Sequence, residues 1–216
     1  MDAVHLRNLS AAYGGRQVLG PISLDLRPGE HVALVGGSGV GKSTLLNLLY
    51  EQVRDRAALV PQEQGLVQSL SVFHNVYVGR LNRHSRWYNL MNLVWPRSAE
   101  VAQIEPLLDK LGMADKLKSP VEALSGGQKQ RTAVARALYQ QSDILLADEP
   151  VSALDGPLAH VVMGCMTEHY PTSVIALHDI DLALRYCNRI VGLQGGQIVL
   201  DDASDRLSAG DILPLY

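Results

Sequence analysis

The sequence predicts an α/β fold with a mainly parallel sheet, a small N-terminal antiparallel β-subdomain and an inserted α-helical subdomain at about 66–135. Three observations carry this. Short apolar, β-branched runs, HVALV (31–35), ILLAD (144–148) and SVIAL (173–177), are each followed by helical spacing. The first 30 residues instead alternate apolar and polar positions between Gly-rich turns, as half-buried antiparallel strands do. Between about 66 and 124 the pattern is helical and loop-rich, strongest in VAQIEPLLDKLGM.

In chain order, VHLRNLSAAYGGRQVLGPISLDLRPGE predicts the antiparallel strands and HVALV a buried strand. GGSGVG opens a helix, KSTLLNLLYEQVR, whose leucines recur on one face. RAALV is a strand ending at Val60, ahead of Pro61-Gln62. A helix of about 12 residues climbs about 18 Å and five strand residues return about 16 Å, so a short strand–helix–strand crossover closes. After the helical stretch come a helix at 128–140, the strand 144–148, a helix at about 157–169, the strand 173–177 and a helix at 179–187. RIVGLQGGQIVLD closes the series as a hairpin turning at Gly195-Gly196.

Composition excludes several classes. A chain of 216 residues buries a sizeable core. Its charge of −3, with 19 basic and 22 acidic residues, gives no support to a nucleic-acid partner. Cys165 and Cys187 form neither a CxxC pair nor a disulfide framework. The chain opens without a signal-peptide pattern, and no apolar run has the length of a membrane span. The expectation is a cytosolic domain.

GGSGVGKS at 36–43 fits G-x-x-x-x-G-K-[ST], with Gly36, Gly41, Lys42 and Ser43 at the defining positions. Glycines without Cβ let backbone N–H groups surround phosphate oxygens, and the helix N-terminus adds partial positive charge. Lys42 would reach the β- and γ-phosphates and Ser43 would ligate Mg²⁺. The bland alternative is a Gly-rich turn with an incidental lysine. ILLADEP places Asp148 and Glu149 at the C-terminal end of a buried strand, where ligands of open α/β sheets gather. Asp148 suits a Mg²⁺ shell and Glu149 could polarise a water, against the alternative of a solvated acidic pair. LSGGQKQR (124–131) reads locally as a capped helix start, Ser125…Gln128 matching a capping box. For Lys129, Arg131 and Arg136 a solvated face competes with phosphate steering.

Taken together and in order, these motifs resemble the ATP-binding cassette ATPases, the nucleotide-hydrolysing subunits of ABC transporters. GGSGVGKST (Gly36, Gly37, Ser38, Gly39, Val40, Gly41, Lys42, Ser43, Thr44) matches the Walker A loop on a P-loop NTPase core. Tyr13 matches the adenine-stacking aromatic and Gln62 in LVPQ the Q-loop. LSGGQ matches the signature, ILLADE Walker B, SALD (152–155) the D-loop and His178 the switch histidine. The resemblance covers nearly the whole chain and implies one cassette domain, 1–216, using ATP and Mg²⁺.

It also implies roles. Ser125, Gly126, Gly127 and Gln128 would bind ATP held by a second cassette, paired head to tail as a homodimer, with Asp155 in the D-loop. Gln62 and Asp148 would join Ser43 around Mg²⁺, with Gln62 also sensing the attacking water. Glu149 would act on that water while His178 holds the γ-phosphate. The implied partners are a membrane permease and a solute-binding protein, and the implied place is the inner face of the cell membrane.

SLSVFHNVYVGRL (69–81), RHSRWYNLMNLVWPRS (83–98), LADEPVSALD (146–155) and LHDIDLALRYCNRIVGLQGGQIVLDD (177–202) are most similar to phosphonate-importer cassettes. The alternatives are a cassette of a lipoprotein-release or macrolide-type exporter and a non-transport ATPase that remodels a soluble complex. In 83–98, Trp87, Tyr88 and Trp95 either dock a permease helix or fill the helical subdomain's own core. Only 20 positions separate Lys42 from Gln62, shorter than the family's usual gap, which predicts a reduced antiparallel subdomain.

Overall fold

The computed structural model describes residues 3–216, without the side chains of Tyr13 and Arg16. The chain divides into two compact units, Met1–Gln62 with Ser142–Ser152 and Thr167–Tyr216, and Glu63–Gln141 with Ala153–Met166.

The first unit opens with β1 (Val4–Tyr13) and β2 (Arg16–Leu26), antiparallel partners in a two-stranded sheet. The main sheet follows: β3 (His31–Val35), β4 (Ala57–Val60), β5 (Ile144–Asp148), β6 (Thr172–Ala176), β7 (Arg189–Gln194) and β8 (Gln197–Ala203), in the order β4-β5-β6-β3-β7-β8. All pairs are parallel except the β7–β8 hairpin. Continuous apolar runs in β3, β5 and β6 suit strands buried on both faces. Helix α1 (Lys42–Val53) turns Leu45, Leu46, Leu49 and Val53 into one core with Leu34, Leu146 and Val174 of the main sheet. Leu6, Leu19 and Leu24 of the two-stranded sheet complete that core. The antiparallel subdomain is therefore reduced to two strands whose inner face still covers α1. The crossover from β3 through α1 reaches β4 across two intervening strands, so it is wider than a step between neighbours.

Arg189 ties the hairpin to β2. Its Nε and Nη2 donate to Asp201 at 2.7 Å each, and Nη1 donates to Glu30 at 2.9 Å and to the Asp25 carbonyl at 2.7 Å. One bidentate contact with Asp201 and the two bonds from Nη1 engage the planar fork of this guanidinium.

The second unit is helical: α2 (Val72–Tyr77), α3 (Arg86–Val94), α4 (Ser98–Lys110) and α5 (Gly126–Gln140). Phe73, Val76, Ile104, Leu108, Ala133, Ala137 and Leu138 are buried where α2, α4 and α5 pack together. Helix α6 (Gly156–His169) runs from this unit into the first, which also holds α7 (Ile180–Tyr186) and α8 (Ala209–Ile212). Among the described residues no helix is long and apolar enough to cross a membrane.

Candidate nucleotide site

The loop between β3 and α1 is shaped by its glycines. Gly36 sits at φ 136°, and a Cβ there would lie 2.3 Å from the Leu193 carbonyl oxygen, so no other residue fits without moving β7. Gly41, at φ 108°, stands at the N-cap of α1 and provides no side-chain cap. The 12-residue helix thus begins without a side-chain cap among the described residues, which leaves first-turn amides in the arrangement that binds anions.

Lys42 is buried, and its Nζ donates to the Gly36 carbonyl at 2.6 Å and the Gly37 carbonyl at 3.0 Å. Burial lowers its pKa, opposed by the charges of Glu149 and Asp148. A desolvated ammonium held among carbonyls and facing a cavity is ready to exchange a partner for phosphate oxygen. That cavity, about 270 Å³, is lined by Val18, Ser38, Gly39, Gly41, Lys42, Ser43, Thr44, Gln62 and Glu149.

Asp148, at the end of β5, is buried, and its Oδ1 has no hydrogen-bond partner. Burial raises its pKa, the Ser43 hydrogen bond opposes that rise, and the charge of Glu149 adds to it. A buried carboxylate oxygen without a donor, beside a hydroxyl, has the donor set a hard divalent cation takes. The residues present therefore fit Mg²⁺. Glu149 follows at φ 50°, a left-handed conformation rare outside glycine, with its N–H donating to the Ala176 carbonyl at 3.1 Å. Its Oε1 lies 2.7 Å from Nε2 of His178, which follows β6. The expected Lys42, Ser43, Gln62, Asp148, Glu149 and His178 thus meet at the C-terminal ends of β3, β4, β5 and β6. The Tyr13 side chain, expected to stack on adenine, lies outside the described residues.

In the second unit, Ser125 caps α5. Its Oγ accepts from the Gln128 N–H at 3.3 Å while Gln128 Oε1 accepts from the Ser125 N–H at 3.0 Å, the reciprocal capping box. A Cβ on Gly126 would meet nothing within 4 Å, so that face of the helix start is open. A Cβ on Gly127 would lie 2.9 Å from the Ala153 carbonyl oxygen. Gln130 accepts from the Ala153 N–H at 3.1 Å, and Asp155 caps α6 by accepting from the Leu158 N–H at 3.0 Å. The signature helix and the D-loop are therefore seated on each other.

Several working residues escape a reading of the sequence. Arg131 and Arg136 are neither a solvated face nor phosphate ligands. Arg131 Nη1 donates to the Leu111 and Gly112 carbonyls, and Arg136 donates to those of Gln64 and Gly65 at 2.7 and 2.8 Å. Arg136 thus anchors the segment just after Gln62, and only tertiary contact reveals it. The Leu215 carbonyl accepts from the Gly37 N–H at 3.0 Å, and the Tyr216 hydroxyl donates to the Leu177 carbonyl at 3.1 Å, beside His178. Nothing local in the sequence marks those last residues.

Comparison with known proteins agrees with this geometry. A profile of the ABC transporter family matches residues 19–152. The chain is 34% identical to the phosphonates import ATP-binding protein PhnC 2 of Pseudomonas savastanoi pv. phaseolicola, over 100% of this chain and 89% of that protein. It is 38% identical to PhnC of Frankia casuarinae, over 98% of this chain and 92% of the relative. The first alignment runs to 249 positions although this chain has 216 residues, so that relative carries segments absent here. Among solved structures, the dimeric bacterial ABC transporter cassette MJ0796 superposes with a TM-score of 0.80 at 25% identity, over 93% of this chain and 98% of that one. The ADP conformation of the cassette MJ1267, at 21% identity and a TM-score of 0.77 over 100% of this chain and 98% of that one, shares the fold.

Proposed function

The chain belongs to the ABC transporter family, and from that premise we propose that it is the ATP-hydrolysing cassette of an importer for phosphonate or a related oxyanion. One observation carries the reading: the uncapped start of α1, Lys42, Ser43, Gln62 and Glu149 all open into a single cavity. The relatives are named as phosphonate import subunits, which supports uptake over export or remodelling of a soluble complex.

In this reading the amides of the 36–44 loop other than that of Gly37, which donates to the Leu215 carbonyl, and the Lys42 ammonium hold the β- and γ-phosphates of ATP. Ser43 and Asp148 hold Mg²⁺, with Gln62 at its edge; the ion, when bound, neutralises charge developing on the phosphates. Glu149 accepts the proton of the attacking water, and His178, which shares a 2.7 Å contact with Glu149, orients that carboxylate and reaches toward the γ-phosphate. Ser125, Gly126 and Gly127 present the open start of α5 to ATP held by a second copy, with Gln128 holding the cap and Asp155 the adjoining D-loop. Residues 1–216 act as one cassette, with the helical region at about 66–135 carrying the signature. Two copies pair head to tail, and the pair drives a membrane permease, served by a solute-binding protein, from the inner face of the membrane. Loss of the γ-phosphate removes contacts shared by both copies and opens the pair.

Glu149→Gln should lower steady-state phosphate release by about 100-fold or more while ATP still binds. Release at the wild-type rate would remove Glu149 from its role. Lys42→Ala should weaken ATP binding in calorimetry, and unchanged affinity would sink the phosphate cradle.

A further inference from the structure

Helix α3 is mounted with its polar side inward. Tyr88, Asn89 and Asn92, spaced to share one face, are the residues that bind the rest of the helical unit. The Tyr88 hydroxyl donates to Glu100 at 2.7 Å, and Asn89 Oδ1 accepts from the Tyr77 hydroxyl at 2.7 Å. Asn92, fully buried, accepts from the Arg97 N–H at 2.8 Å. The opposite stripe, Trp87, Leu90, Met91 and Val94 with Trp95 beyond it, faces outward: Trp87 and Trp95 are 77% exposed and Val94 74%. This stripe is not core that failed to pack, because the helix turns its other face, with the buried Asn92 and the hydrogen-bonded Tyr88 and Asn89, toward the unit.

Charge indicates what covers it. Residues 64–99 contain four arginines and no Asp or Glu, in a chain whose net charge is −3. Arg86 is exposed beside the apolar stripe, while Arg83 and Arg97, also exposed, are held by the Gln140 and Gln141 carbonyls and over the Tyr88 ring. An outward apolar stripe bounded by tryptophans and flanked mainly by cations, with Glu105 and Lys118 sharing the Trp95 cavity, matches an anionic bilayer surface, where indole rings prefer the headgroup boundary and basic residues meet lipid phosphates.

We propose that α3 is a membrane-surface contact that seats Trp87, Leu90, Met91, Val94 and Trp95 in the headgroup region of anionic lipid. This rests on the reading of the chain as a cassette working at the inner face of a membrane. It gives α3 a bilayer rather than a permease helix as its occupant, because the charge carried by residues 64–99 is basic throughout and complements anionic lipid.

Trp87 and Trp95 are the chain's two tryptophans, so intrinsic emission reports on this surface alone. The full chain is titrated, without nucleotide, with vesicles of phosphatidylcholine or of phosphatidylcholine mixed with phosphatidylglycerol. The anionic vesicles should shift emission to the blue and carry the chain on flotation, and added salt should reverse both. Leu90→Glu with Val94→Glu keeps both reporters and should lose roughly tenfold or more of that binding, with far-UV circular dichroism and ATPase rate in solution unchanged. No shift with either vesicle, equal binding to the neutral ones, or binding undiminished in the double variant would overturn the proposal. So would a shift that depends on chain concentration without lipid, which would make a second copy the occupant. Failure of wild-type ATPase activity would sink the transport reading and leave the vesicle result standing.

Discussion

Gly126 and Gly127 are adjacent glycines with different reasons to be glycine. At Gly126 an added Cβ meets open space, whereas at Gly127 it lies 2.9 Å from a backbone oxygen and 3.0 Å from Leu154 Cδ2. Gly127→Ala should therefore destabilise the fold by about 1–3 kcal/mol, because the D-loop backbone must move. Gly126→Ala should leave thermal stability within about 0.5 kcal/mol while reducing ATP-driven pairing. Thermal denaturation of the two variants separates the outcomes. Equal stability loss in both would refute the seating of α5 on Ala153. Glu149 shows a different economy of position: its left-handed backbone is held by the Ala176 carbonyl and aims its side chain at His178. Strain of this kind persists where the surrounding structure enforces it, here at the end of a fully buried strand.

The helices of the second unit depend on one buried carboxylate. Glu100, 3% exposed, accepts from the Tyr139 and Tyr88 hydroxyls and lies 3.5 Å from His84 Nε2, while the Arg80 guanidinium stacks 4.1 Å over the Tyr139 ring. Burial alone would raise its pKa, but the two hydroxyl donors and the charges of His84 and Arg80 outweigh it and hold the carboxyl below its ordinary value. The same environment pushes Tyr77 up to about 12, burial first and the Glu100 charge second. A depressed carboxylate contributes stability that is present above its unfolded pKa and is lost as pH falls through the lower, folded value. Glu100→Gln should cost about 1–3 kcal/mol at neutral pH and flatten the acid limb of stability below about pH 4.5. Chemical denaturation across that range checks both. An acid limb unchanged in the variant would assign acid lability elsewhere. Because Tyr88 and Asn89 hang α3 on this cluster, the outward tryptophans depend on it as well.

For the whole molecule, the structure leaves the signature's open helix start in one unit and the phosphate loop in the other, and the proposed function pairs these elements between copies. The dimeric cassette among the structural relatives supports pairing. Ser125 is exposed, so Ser125→Arg should still fold, with about 1 kcal/mol lost with the cap of α5, bind ATP as a monomer, and fail to form the ATP-dependent dimer in a Glu149→Gln background. Multi-angle light scattering with and without ATP reads this directly. Normal dimerisation of that variant would remove Ser125 from the interface. The arrangement also bears on the short stretch between Lys42 and Gln62. With α1 covered by two strands through Leu6, Leu19 and Leu24, the apolar stripe of α1 remains buried despite the reduced sheet.

Taken by itself, the sequence determined most of the elements and the glycine-rich loop proposed to hold phosphate, because those features are local. Buried strands read as apolar runs, α1 reads as a leucine stripe, and the cradle requires glycines, lysine and serine at set spacing within one turn. The capping box of α5 was legible for the same reason. What only the tertiary structure decided depends on residues far apart in the chain. The sheet order that carries α1 across two strands is one such feature. Others are the Arg136 anchor on Gln64 and Gly65, the packing of Leu215 against Gly37, and the choice of face on α3. Periodicity marks a helix with an apolar side but cannot say which side is turned inward; there, the hydrogen bond donated by Tyr88 and those accepted by Asn89 and Asn92 hold the polar side inward and leave the tryptophans outside.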